Sequence, residues 1–240
     1  MRPVIEKHAQ HTILYDNETT EQITPDWFEL KFWVEKGSFS PVGLGRGTTW
    51  YVSIDEHEYV LRHYKRGGMM ARISDDRYLW TGLERTRAWR EWRLLAHIYQ
   101  AGLPGPRPLA ARVIRHGLLY SADILTCRIP DTESLSSYIK RNELAVTGWQ
   151  SLGACIRRFH DAHIYHADLN AHNILLDNKG NIFLIDFDKG SIDQGESWKQ
   201  RNLQRLRRSL DKLSRQGDDF SFKDTDWDSL IAGYEDKAIT

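Results

Sequence analysis

Two short apolar runs, residues 174–176 and 182–185, flank the turn sequence Asp177-Asn178-Lys179-Gly180 and predict a β-hairpin. A second hairpin is predicted upstream, where Tyr51, Val52, Ser53 and Ile54 and then residues 59–64 lie on either side of Asp55-Glu56-His57-Glu58. Residues 118–125 form a further apolar run, followed by a connecting stretch at 126–130. Helical periodicity governs 78–100, with Leu83, Trp89, Trp92, Leu95 and Tyr99 on one stripe, and the Gly/Pro-rich stretch 101–108 stops that helix. Helices are also expected at 133–140 and 147–163, and Leu203, Leu206, Leu210 and Leu213 mark one face of another. Near the start, Thr24-Pro25-Asp26 reads as a helix entry, with Trp27, Leu30 and Val34 on one face; a short apolar run at Ile13-Leu14-Tyr15 precedes it.

Composition narrows the class without naming a partner. At 240 residues, with 40% hydrophobic and 28% charged positions, the chain can bury a substantial core and is not a disordered polymer. Lys plus Arg and Asp plus Glu both number 33, so only the distribution of charge is informative. Residues 198–215 carry Lys199, Arg201, Arg205, Arg207, Arg208, Lys212 and Arg215 against Asp211 alone. No apolar run is long enough to span a bilayer, and the N-terminus lacks the apolar core of a signal peptide. Cys127 and Cys155 match neither a redox motif nor a metal knuckle, and are expected to be buried fillers in a reducing compartment.

Candidate chemistry centres on the first hairpin. His166, Asp168 and Asn173 follow the spacing H-x-D-x-x-x-x-N, and the second strand delivers Asp186 with Phe187 behind it. The hairpin should bring two carboxylates and an amide toward one end. Phosphoryl transfer from ATP needs such a set, because a metal-bound triphosphate takes oxygen ligands and the acceptor hydroxyl needs a carboxylate beside it. In that pattern Asp168 takes the hydroxyl proton, Asn173 and Asp186 hold Mg²⁺, and His166 braces the loop through backbone hydrogen bonds. His160, His163, His166 and His172 could alternatively suggest a metal cluster, although no Cys or second carboxylate completes a standard ligand set.

A nucleotide also needs its phosphates cradled. Gly45 and Gly47 precede a strand and fit the first two positions of G-x-G-x-x-G-x-V, which places Val52 where an apolar side chain covers the base and Trp50 where the third glycine belongs. An ordinary hairpin turn is the competing reading. On the returning strand, Val60 and Arg62 share a face, so Arg62 takes the position of the phosphate-binding lysine, with Lys65 as rival. Glu91, or alternatively Glu84, could pair with that cation.

With these residues assembled, the chain resembles the protein-kinase-like superfamily and, within it, the lipopolysaccharide core kinases that act on 3-deoxy-D-manno-octulosonic acid (Kdo). The resemblance rests on YVLRHYKRGG (59–68), REWRLLAHIYQAGLPGPRPLAA (90–111), HADLNAHNILL (166–176) and FLIDFDKG (183–190), and extends from about Gly43 to Leu213. It implies an α+β, bilobal fold, with a small antiparallel-sheet lobe in residues 1–125 and a mostly helical catalytic lobe in 126–240. It also implies that ATP phosphorylates the Kdo 4-hydroxyl of Kdo-lipid A, at the cytoplasmic face of the bacterial inner membrane, with Asp168 as base. Asp188 departs from the D-F-G pattern, and nothing downstream matches A-P-E, which points away from a regulated protein-substrate kinase.

A lipid-linked acceptor gives the basic helix 198–215 a reading: its leucines dock on the lobe and its cations face anionic lipid. A solvated basic face is the alternative. Nucleic acid is not expected as a partner, because no aromatic residues interleave with the basic stretch. The competing functions are a heptose or other small-sugar kinase of the same fold and a non-catalytic nucleotide-binding module.

Overall fold

The computed structural model describes residues 1–18, 22–36, 38–41, 49–65, 76–216 and 220–236. Two compact units emerge: Met1–Ala96 with Pro106–Arg128, and His97–Gly105 with Ile129–Thr240.

The first unit is built on an antiparallel sheet. Its strands are β1 (Pro3–His8), β2 (His11–Asp16), β3 (Ser38–Pro41), β4 (Thr49–Ile54), β5 (His57–His63), β6 (Tyr78–Leu79), β7 (Pro108–His116) and β8 (Leu119–Cys127). They run in the order β1-β2-β7-β8-β5-β4-β3, with β6 also paired to β8. The expected β4-β5 hairpin is present, turning at Asp55, whose φ of 52° an aspartate tolerates. β7 escaped the sequence reading because Pro108 opens it and Arg112 and Arg115 interrupt its apolar signal.

One face of this sheet is sealed by the N-terminal segment. Ile13, Tyr15, Val52, Leu61, Ala110 and Leu125 meet Trp27, Phe28 and Trp33 in a continuous buried cluster. The predicted helix entering at Pro25 is instead a 3-10 turn, Pro25–Phe28, followed by α1 (Leu30–Lys36). Glu29 is extended between them, and Thr24 makes no side-chain cap. The break rotates the face: Trp33 is buried, donating Nε1–H to Trp27 O at 2.8 Å, while Val34 is exposed. Arg112, buried on β7, fixes this segment by donating to Phe28 O, Pro25 O and Glu29, and its Nε donates to Asp123 at 2.8 Å.

The expected helix at 78–100 is three elements: β6, a 3-10 turn at Leu83–Arg85 and α2 (Arg87–Gln100). Gly82 breaks it with φ 111°, and Thr86 Oγ1 caps back onto Leu83 O at 2.7 Å. Trp89, Trp92, Leu95 and Ile98 form the buried stripe, and Tyr99 lies outside it, exposed.

In the second unit, the expected helix 133–140 is the strand β9 (Thr132–Ser134) and a single turn, α3 (Leu135–Tyr138), whose cap Ser134 accepts from Ser137 N. The long helix α4 (Val146–Asp161) follows, then β10 (Ile164–Tyr165), β11 (Ile174–Asp177), β12 (Ile182–Leu184), β13 (Ser191–Ile192), α5 (Ser197–Ser214) and α6 (Asp224–Glu235). β11 and β12 form the predicted hairpin. Its turn is closed by Asp177, whose carboxylate accepts from Lys179 N, Asn181 N and Asn181 Nδ2, with Gly180 at φ 81°.

Candidate active site

In the second unit, the hairpin positions Asn173 and Asp186, and the loop that precedes it carries Asp168. Ile174 lies opposite Leu184, so Asn173 and Ile185 are the next residues out, joined by Ile185 N–H donating to Asn173 O at 3.0 Å. Asp186 follows immediately, in the left-handed region at φ 62°. An aspartate adopts that backbone only at some cost, and such outliers gather at functional sites. Lys189 takes the other positive φ of this loop, at 64°, and Asp188 does not. A glycine is therefore not required at 188, which is why aspartate is tolerated in the D-F-G position.

The segment carrying Asp168 is held from inside. His166 is buried: Nε2–H donates to Ile185 O at 2.8 Å, and Nδ1 accepts from Asp168 N at 3.1 Å. Burial holds this imidazole below its ordinary value, against the opposing pull of Ile185 O and the nearby carboxylates, so it is neutral. With both nitrogens engaged by backbone and no exposed edge, His166 braces the loop and is not a reacting group. Its ring packs against Phe187, which stacks on Phe159 of α4. Asn170 Nδ2 and Asn173 Nδ2 both donate to Asp168 O at 2.9 Å. That bond engages the Asn173 Nδ2 and leaves Oδ1 as the atom of this amide that can serve a cation. An amide oxygen and the Asp186 carboxylate are hard donors that fit Mg²⁺.

The other histidines have separate duties. His160 bonds Tyr234 Oη and Asn202 Oδ1, and His172 bonds Ser136 Oγ. Cys155 is buried beside Ile182 O, and burial pushes its thiol up to about 12; Cys127 is half-buried.

Three residues of α5 stitch that helix along the catalytic loop. Asn202 Nδ2 donates to His166 O at 2.6 Å, Arg205 Nε donates to Asp168 Oδ1 at 2.9 Å, and Ser209 Oγ accepts from Ala171 N at 3.3 Å. Arg205 Nη2 reaches the same Oδ1. The sequence reading missed these contacts because it assigned the arginines together to lipid. Their spacing, i, i+3 and i+7, was the available signal: it places them on one flank, between the buried leucines and the exposed cations.

In the first unit, Arg62 on β5 sets its Nη2 against both carboxylate oxygens of Glu91 on α2, and Tyr64 Oη donates to Glu91 Oε2 at 2.5 Å. Glu84 pairs with Arg93 instead. Thr49, Tyr51 and Val60 share the sheet face of Arg62, since Thr49 lies opposite Arg62 and Tyr51 opposite Val60. Val52 does not. It lies opposite Tyr59, on the other face, buried in the cluster with Trp27 and Trp33. The proposed base-covering role of Val52 is therefore corrected to a core role, the strand alternation having placed it one residue out of phase. Gly45 and Gly47 lie outside the described residues.

A sheet unit with a buried cation–glutamate pair and a second unit with a braced Asp-Asn-Asp hairpin define a protein-kinase-like fold. A solved structure, WaaP in complex with acyl carrier protein, matches it with a TM-score of 0.55 at 17% identity, covering 83% of this chain and 78% of that one. The model of the Lipopolysaccharide kinase (Kdo/WaaP) family matches residues 30–234. The chain belongs to that family. Among its relatives, the 3-deoxy-D-manno-octulosonic acid kinase of Vibrio cholerae serotype O1 is 41% identical over 204 residues, covering 85% of this chain and 87% of the relative. The protein of the same name from Stenotrophomonas maltophilia is 46% identical over 217 residues, covering 89% and 85%.

Proposed function

We propose that this kinase transfers the γ-phosphoryl group of ATP to the 4-hydroxyl of Kdo in Kdo-lipid A. The observation that carries the reading is the catalytic hairpin: Asp168, Asn173 and Asp186 meet on one backbone scaffold that His166 holds from within. The acceptor follows from the relatives, which bear the name Kdo kinase across most of this chain.

In this mechanism the acceptor oxygen attacks the γ-phosphorus as the bond to the ADP oxygen breaks, and the hydroxyl proton passes to Asp168. Asn173 Oδ1 and Asp186 would hold Mg²⁺, which when bound neutralises charge on the phosphates. Arg62, clamped by Glu91, presents a fixed cation to phosphate. The fixed loop contributes orientation, so little has to rearrange as charge moves.

Association with the cytoplasmic face of the inner membrane belongs to the same reading. Arg201, Arg208 and Lys212 are exposed along α5 and Arg215 just past its end, while Leu203, Leu206 and Leu210 are buried behind them. A lipid-linked acceptor and an anionic leaflet both suit such a stripe.

The test is mass spectrometry of Kdo-lipid A after incubation with enzyme, ATP and Mg²⁺. A gain of one phosphate is expected with the parent chain, and Asp168→Ala and Asp186→Ala should each lower turnover by at least about 100-fold. Near-parental turnover by either variant would remove the role given to that residue.

A further inference from the structure

We infer that Arg205 is the residue that selects a sugar acid as acceptor, by holding the catalytic carboxylate on one edge and the acceptor's own carboxylate on the other. The inference rests on the acceptor proposed above.

Both donors that Arg205 gives to Asp168, Nε and Nη2, converge on Oδ1. Asp168 Oδ2 has no hydrogen-bond partner among the described residues and is the oxygen left to receive a hydroxyl proton. A guanidinium carries five N–H donors in a fixed plane. With one edge occupied by Oδ1, the Nη1 side remains available for a second oxyanion. The side chains of Arg205 and Asp168 are 47% and 48% exposed, so an acceptor can reach both. A half-exposed pair contributes little to folding stability. Its place on the catalytic carboxylate therefore points to another use.

The position of Arg205 is set by more than its own ion pair. Asn202, one turn before it, is buried and bonded to His166 O and to His160 Nε2. Ser209, one turn after it, accepts from Ala171 N in the segment between Asp168 and Asn173. The backbone of Arg205 is thus held between two fixed contacts to the loop that bears Asp168. Kdo is itself an acid, with a carboxylate at a fixed reach from its ring hydroxyls. Seated on Arg205 Nη1, that carboxylate would set which hydroxyl lies against Oδ2. A neutral sugar lacks this anchor and gains nothing from the guanidinium.

The experiment is a two-by-two comparison of the full chain and Arg205→Ala, each with Kdo-lipid A and with the same acceptor carrying its Kdo carboxylates as methyl esters. The parent should prefer the free acid in kcat/KM by roughly 10- to 100-fold, the range of one charge-assisted contact. Arg205→Ala should erase that preference, chiefly through a higher acceptor KM for the free acid, with KM for ATP unchanged. Arg205→Lys, which keeps the charge but not the fork, should restore only part of it. A loss in kcat/KM that is equal for acid and ester, or no loss for either, would overturn the inference while leaving the acceptor assignment intact. Failure of the parent to phosphorylate Kdo-lipid A would overturn both.

Discussion

Glu91 is almost closed off from solvent, and it receives a guanidinium from Arg62 and a phenol from Tyr64 on the same carboxylate. A charge so enclosed is tolerated because each oxygen is matched. Glu91→Gln keeps the shape and removes the charge, leaving Arg62 without its clamp. KM for ATP should rise at least about tenfold, and stability should fall by about 2 kcal/mol, less than for a fully buried pair because Arg62 stays partly exposed. An ATP titration and a denaturant melt check the two effects separately. Tyr64 could not be read from sequence as part of this pair, since strand alternation places it on the face of Arg62 but gives no sign that its hydroxyl reaches a glutamate on α2.

Helices α4 and α6 cross at two glycines. A Cβ on Gly153 would lie 2.0 Å from Leu230 O, and one on Gly233 would lie 2.1 Å from Gln150 O. Both clashes are with backbone, which cannot rotate aside. Gly153→Ala should therefore cost about 2 kcal/mol or more in thermal or denaturant unfolding, and a variant as stable as the parent would refute this crossing. The same helices, with α5, enclose His160 between Tyr234 and Asn202, and burial pushes its imidazole down to about 4, against the partial support of the Asn202 bond. Because the unfolded chain binds the proton more readily, this site adds nothing above pH ~6.5 and loses stability as pH falls toward ~4, by about 3 kcal/mol in full. His63 acts in the opposite sense: its bond to Asp123 raises it, so its contribution is present below the ordinary histidine value and fades as pH climbs through the raised one. Unfolding midpoints measured from pH 4 to 8 should show His160→Gln flattening the acid limb and His63→Gln lowering stability only toward the acid side.

At the scale of the whole chain, two units each carry their own buried core, and the basic face of α5 belongs to the second. Replacing Arg201, Arg208, Lys212 and Arg215 together by alanine should weaken association with anionic lipid vesicles by on the order of 100- to 1000-fold, taking about 1 kcal/mol per charge with some screening. Equal sedimentation of both proteins with such vesicles would remove the lipid reading of that stripe. The sequence by itself determined the hairpin flanked by Asn173 and Asp186 and the leucine face of α5, because each is written in short spacings that strand alternation, a turn or helical periodicity converts directly into position; it left Glu91 and Glu84 both open as partners of Arg62. What only the tertiary structure decided is which face met which neighbour. Val52 went into the aromatic core since the segment around Trp27 and Trp33 covers its side of the sheet, and Arg205 left the ranks of its fellow cations for Asp168. Such outcomes depend on elements far apart in the chain competing for the same surface, and no local pattern of residues records who arrives there.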